Sequence, residues 1–209
     1  MASFQRRTFG TIVDDPSVGT VSWNSPTNAG AEDNAYAEAS VLVGNGQTHY
    51  LLCTNSSYLD GTTLNVGDTI NFISWGVARY NPGSSNIRDY LLYEVEGGVI
   101  KTANNYADTA TDWGATDTDL ATGHTQTMNL PTAAAILASD WGMAFAAQNT
   151  DGGMDGIARV DFLYAYIDFT PAGGTPSRVG TFILQAVKRA ANYCFSLFRS
   201  ILDPGVLAT

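Results

Sequence analysis

Apolar and polar residues alternate with a period of two through most of this chain, the signature of strands with one face turned inward. Thr20–Trp23 and Tyr36–Val43 read as strands, the second closed by Gly44-Asn45-Gly46, and Thr48–Thr54 continues the pattern. Ile70, Phe72, Ser74 and Gly76 interleave with Ile73, Trp75, Val77 and Arg79, so both faces carry large groups, as in a central strand covered on both sides. Asn81-Pro82-Gly83 forces a turn before Asn86–Glu96, and Gly97-Gly98 followed by Val99-Ile100-Lys101 has the form of a two-residue hairpin. Pro131–Ala138 is a helical interlude, Pro at its start and good helix formers behind it. Trp141–Ala147 and Ala158–Phe169 return to strand periodicity. Many short strands with no βαβ rhythm predict an all-β fold, a jelly-roll-like antiparallel β-sandwich over residues 11–171, with 1–10 as a leading segment.

After a Gly/Pro hinge at 172–177 the period changes to about 3.6. Residues 178–203 then predict an amphipathic helical arm, ended by Asp203-Pro204-Gly205 in a terminal stretch, 204–209. Val179, Ile183, Ala186, Ala190, Tyr193, Leu197 and Ile201 share one stripe, which Phe182, Val187, Cys194 and Phe198 widen. Lys188, Arg189 and Arg199 interrupt it, so a membrane span is not expected. The stripe is expected to dock on partner subunits.

Composition supports one core plus an appendage: 209 residues, 21 of them Gly, and only 14% charged. Charge is split along the chain. Residues 1–172 hold six Lys/Arg against nineteen Asp/Glu, a net of −13, whereas 173–209 hold four against one, a net of +3. An acidic body repels phosphate backbones, so direct nucleic-acid binding is not expected. Cys53 and Cys194 have neither metal-ligand spacing nor a disulfide framework, and no signal segment opens the chain; both point to synthesis in a reducing cytoplasm.

Gly10–Asp15, Val21-Ser22-Trp23-Asn24, Pro26, Asn28-Ala29, Asp33-Asn34 and Tyr36-Ala37 together form an opening that resembles uncharacterised phage and prophage virion structural proteins. In those proteins Trp-Asn-x-Pro is followed by Asp-Asn-x-Tyr-Ala, and a late strand like Tyr164–Pro171 ends the shared region. The resemblance covers residues 10–171 and stops before the arm. It implies a β-sandwich used as a tail, neck, fibre or capsid-decoration component of a virion, with other virion proteins as partners and symmetric copies of itself. It brings no catalytic residues. The same residues also have a plain packing role: Trp23 and Tyr36 in the core, Asn28, Asp33 and Asn34 capping turns.

Enzymatic chemistry has little to build on. Asp108, Asp112, Asp117 and Asp119 crowd a stretch that also carries Trp113, but it is polar throughout, and a general acid needs an apolar pocket; a solvated acidic loop is favoured. Asn149, Asp151 and Asp155 have the alternate oxygen spacing of a calcium loop, yet no terminal Glu follows, so a plain connection is favoured. No metal or other cofactor is expected. His49 and His124 stand apart, with no nucleophile elbow and no phosphate-cradling loop. A glycan- or peptide-degrading enzyme is therefore the last alternative. Carbohydrate binding to a host-surface glycan is the stronger one, given Trp75, Trp113, Trp141, Tyr80, Tyr90 and Tyr106. Trp75 and Trp141 lie in alternating runs and are expected in the core, which leaves Trp113 as the glycan-contact candidate.

Overall fold

The structure, a computed structural model, describes residues 2–120 and 125–173. Ten strands are present among them: β1 Ser3–Asp15, β2 Ala37–Leu42, β3 Tyr50–Gly61, β4 Thr69–Tyr80, β5 Ile87–Glu96, β6 Val99–Ile100, β7 Thr118–Leu120, β8 Thr125–Gln126, β9 Gly142–Asn149 and β10 Gly156–Thr170. The antiparallel all-β class is as predicted. The arm at 178–203, with its whole stripe, lies outside the described residues, as do Cys194 and His124.

Hydrogen bonds join the strands into one sheet in the order β6-β5-β9-β3-β1-β10-β4-β7, with β2 also on β10 and β8 also on β4. Every pair of these strands is antiparallel. Where the periodicity predicts two separate sheets, the structure has a single curled one. The reason is β1, which takes in residues 3–10 of the expected leading segment. It pairs with β10 along one edge and with β3 along the other, and so bridges what would otherwise be two halves.

The curl brings the two ends of the sheet together over the core. Trp75 of β4 stacks on Trp141 at 5.5 Å, beside Phe9, Leu92, Phe145, Leu163 and Ile167, all buried. Side chains, not a ladder, link the ends. Arg79 of β4 faces Asp89 of β5 at 2.9 Å, and Gln126 of β8 donates Nε2–H to Glu94 of β5 at 3.0 Å. Arg79 and Asp89 are almost fully buried, which makes this a desolvated ion pair that needs both partners.

Turn chemistry fixes the local joins. Gly97 and Gly98 both adopt positive φ, 62° and 72°, and set β5 against β6 in register Glu96↔Val99. The predicted helical interlude contracts to one turn, Ala133–Ile136, whose Thr132 hydroxyl accepts from Ala135 N–H. Among the described residues no helix is long and apolar enough to cross a membrane.

Candidate functional site

The residues of the opening motif form a brace. Trp23 donates Nε1–H to His49 O at 2.8 Å, while Asp14 accepts from Trp23 N–H at 2.8 Å and holds His49 Nδ1 at 2.9 Å. Asn24 exchanges backbone hydrogen bonds with Glu38 on β2, and Asn28 donates to Tyr36 O. Asp33 accepts from Ala35 N–H, closing an Asx turn. Arg159 of β10 then grips Glu38 and the Tyr80 hydroxyl, each at 2.7 Å. Segments far apart in sequence are tied to the end of β10 by these contacts.

Next to the brace Glu32, Asn34, Ala78, Asp117 and Asp161 line an acidic pocket of about 370 Å³. Asp161 enters it because β10 carries a bulge there: Val160 pairs with Arg79 and Phe162 with Ala78, leaving Asp161 the extra residue. Burial first, then the charges of Asp117 and Asp33, push the Asp161 carboxyl up from its ordinary value; backbone hydrogen bonds from Asp33 and Asn34 work the other way.

A second cleft opens where the ends of the curled sheet meet. It measures about 190 Å³ and is lined by Glu94, Glu96, Lys101, Ala103, Asn104, Tyr106, Gln126 and Asn129. Glu94 and Glu96 are two apart on β5 and so share a face, and the hairpin sends Lys101 back beside them, its Nζ at 3.6 Å from Glu96. Asn105 holds the next segment against β5, accepting from Leu92 N–H and donating to Tyr90 O, both at 2.9 Å; Tyr106 N–H bonds Leu92 O at 2.9 Å. At the floor the Glu94 carboxylate accepts from Trp141 Nε1–H at 2.9 Å and from Gln126 Nε2–H at 3.0 Å. Burial pushes the Glu94 carboxyl up, against the pull of these two donors, and pushes the Tyr106 hydroxyl up as well. Gln126 also donates to Asn129 O, while its Oε1, fully buried, has no hydrogen-bond partner among the described residues.

The residues singled out from sequence are dispersed. Trp113, the expected exposed glycan contact, is only 8% exposed. It donates Nε1–H to Asp89 at 2.9 Å, stacks on Phe145 at 6.2 Å and lies under the Arg79 guanidinium, because its loop folds across the core. Asp108 accepts from Ala110 N–H, and the Thr111 hydroxyl in particular holds its carboxyl below the usual range. Asp112 pairs with Arg88 at 2.6 Å, Asp117 lines the acidic pocket, and Asp119 sits opposite Ala78 in the β4–β7 ladder. Asn149 donates to Leu42 O and Met154 O and accepts from Asp151 N–H; Asp151 in turn accepts from Gly153 N–H. These are turn contacts, and among the described residues no three His, Cys, Asp or Glu side chains are grouped to hold a metal.

Glu94, Glu96, Lys101 and Gln126 carry no motif, so sequence reasoning passed over them. The one available signal is two acids at alternate positions at the end of a strand, just before a hairpin. Compared with known protein families, curated proteins and solved structures, the chain matches none.

Proposed function

We propose that this chain is a non-catalytic structural component of a tailed-phage particle, in the capsid decoration, neck, tail or fibre. Its jelly-roll-like body would be anchored by the apolar stripe of residues 178–203 to other virion proteins, among symmetric copies of itself. The observation that supports this reading best is the brace. Asp14, Trp23, Asn24 and Asn28, residues of the shared opening, tie β1 to the segment that leads into β2, and Glu38 with Arg159 carries the contact on to β10, which supports reading the shared pattern as one of architecture. The buried charges point the same way: Arg79 and Asp89 face each other where the two ends of the sheet meet, and Glu94 is held by two donors, Trp141 beside β9 and Gln126 of β8 from the opposite end. Such groups stabilise a shape.

Quantitative mass spectrometry of particles purified from the producing host tests the proposal. The chain is expected at a fixed copy number per particle that survives high-salt washing; its absence from intact particles would overturn the reading. A second reading, a carbohydrate-binding adhesion module, is favoured by the cleft beneath the seam.

A further inference from the structure

We infer that the outer face of β1, β3, β9 and β5 receives the apolar stripe of residues 178–203 from a second copy of this chain. The inference rests on the proposed reading that the stripe joins subunits, and it names the surface on which the stripe is seated. Three observations carry it.

The first is the pattern on the two sides of these strands. Leu51, Cys53, Met143 and Phe145 belong to the main core, so the residues between them on β3 and β9 point the other way. In an antiparallel sheet with one solvated face those outward positions are polar. Here they are apolar. Val13, Leu52, Ala144 and Tyr93 form one row, each opposite the next in the strand ladders. Two residues along, Tyr50, Ala146 and Leu91 repeat it, and together they make a hydrophobic cluster separate from the main core. Val13 is 45% exposed, and Leu52, Leu91 and Tyr93 are partly exposed. A contiguous apolar patch of this kind marks an interaction surface. The outer face around β10 differs, because Arg6, Ser74 and Asp168 are set among its aromatic rings.

The second is size. Four strands at about 4.8 Å spacing make a face about 14 Å wide, the length of two to three helical turns at about 5.4 Å each. In the helix that the sequence predicts, the stripe from Val179 through Ile183 and Ala186 to Ala190 would span about 16 Å at 1.5 Å per residue. One such run covers the face.

The third is charge, which selects the occupant. Residues 1–172 carry a net charge of −13, so two bodies repel each other, and a direct pairing of two such faces is disfavoured. Residues 173–209 carry +3, with Lys188, Arg189 and Arg199 off the apolar stripe. That segment is the part of a second copy that an acidic body attracts. Each copy then gives a stripe to one neighbour and offers a face to another, a head-to-tail contact that closes into a ring where the rotation permits.

The test mixes two full-length chains with one added cysteine each, Val13→Cys and Ile183→Cys, both also carrying Cys194→Ser. Cys53 is buried, and burial pushes its thiol up, so it stays unreactive. Mild oxidation of the mixture should yield a covalent dimer containing one chain of each kind. The natural chain should sediment as an oligomer at micromolar concentration, and Val13→Glu should weaken that association about tenfold or more by placing a charge in the seam. Should Val13→Glu fail to fold, the disulfide decides alone. Sedimentation of the natural chain as a single copy overturns the inference. So does a disulfide that closes within one chain carrying both cysteines at nanomolar dilution, which would seat the stripe on its own body. A product made mainly of two Val13→Cys chains overturns it as well, since the faces would then pair with each other. Particle copy number is measured separately: a chain that is single in solution yet present in particles at fixed copy number sinks this inference and leaves the assembly role standing.

Discussion

Gly76 has its position because of Tyr164. A Cβ built at residue 76 would lie 2.2 Å from the ring of Tyr164, a buried residue that packs against Phe162 and the Arg6 guanidinium. Gly76→Ala should destabilise by about 1–3 kcal/mol, the usual range for overpacking, in urea denaturation. Tyr164→Ala should remove most of that penalty, since the clash needs both residues. Trp113 illustrates a different point. Its indole is core, so Trp113→Ala should cost about 3–5 kcal/mol, whereas loss of a surface sugar contact would leave stability unchanged. Asp161 gives a pH-dependent effect. Its folded-state pKa is raised, so the protonated form favours folding; that contribution is present below the ordinary carboxylate range and is lost as pH rises through the folded value. At neutral pH the charge opposes folding. Asp161→Asn should therefore raise the unfolding midpoint at neutral pH, with the gap to the natural chain closing as pH falls. A variant less stable than the natural chain at neutral pH would contradict the assignment.

Among the elements, those written in local chemistry were legible in the sequence. The Gly97-Gly98 hairpin follows from backbone conformations that glycine adopts without strain, and the alternating apolar runs place β4, β9 and β10. β1 was only partly legible, because two of its inward positions are Gln5 and Arg7 rather than apolar residues. They are satisfied only in three dimensions: Arg7 donates to Gln5 Oε1 at 2.9 Å and to the hydroxyl and carbonyl of Ser56, and Gln5 donates to Thr62 O. The loop carrying Trp113 misled for the converse reason. Its acidic composition suits solvent, yet its indole is drawn inward by Asp89 and Arg79, which come from strands more than twenty residues away. The cleft was invisible because it belongs to no element; it exists only where β5, β8 and the segment after β6 converge. The seam itself is testable. Arg79→Met leaves Asp89 buried without its cation and should cost about 3–5 kcal/mol. Adding Asp89→Asn should recover part of the loss, because the amide still accepts from Trp113 Nε1–H and carries no charge. If the double variant is less stable than Arg79→Met, the pair is not the organising contact of the seam.

For the molecule as a whole, residues 2–172 form one compact unit, built around a sheet whose ends are fastened to each other. Its net charge is −13 over residues 1–172, against +3 for the rest of the chain. On the proposed reading, folding and attachment fall to different parts: the curled sheet would supply the shape, and the stripe of residues 178–203 the hold. Five medium apolar side chains of that stripe would contribute on the order of 8–15 kcal/mol when buried, at about 1.5–3 kcal/mol each and before ordering costs. Such a contribution is enough to retain a subunit. The decisive measurement is the copy number, in purified particles, of a chain ending at Pro171, after its cooperative unfolding has been confirmed. The account predicts a folded body that is missing from particles, with the same loss for Ile183→Asp combined with Leu197→Asp in the full chain. Incorporation of either variant at the normal copy number would contradict it and would move the attachment surface onto the sheet.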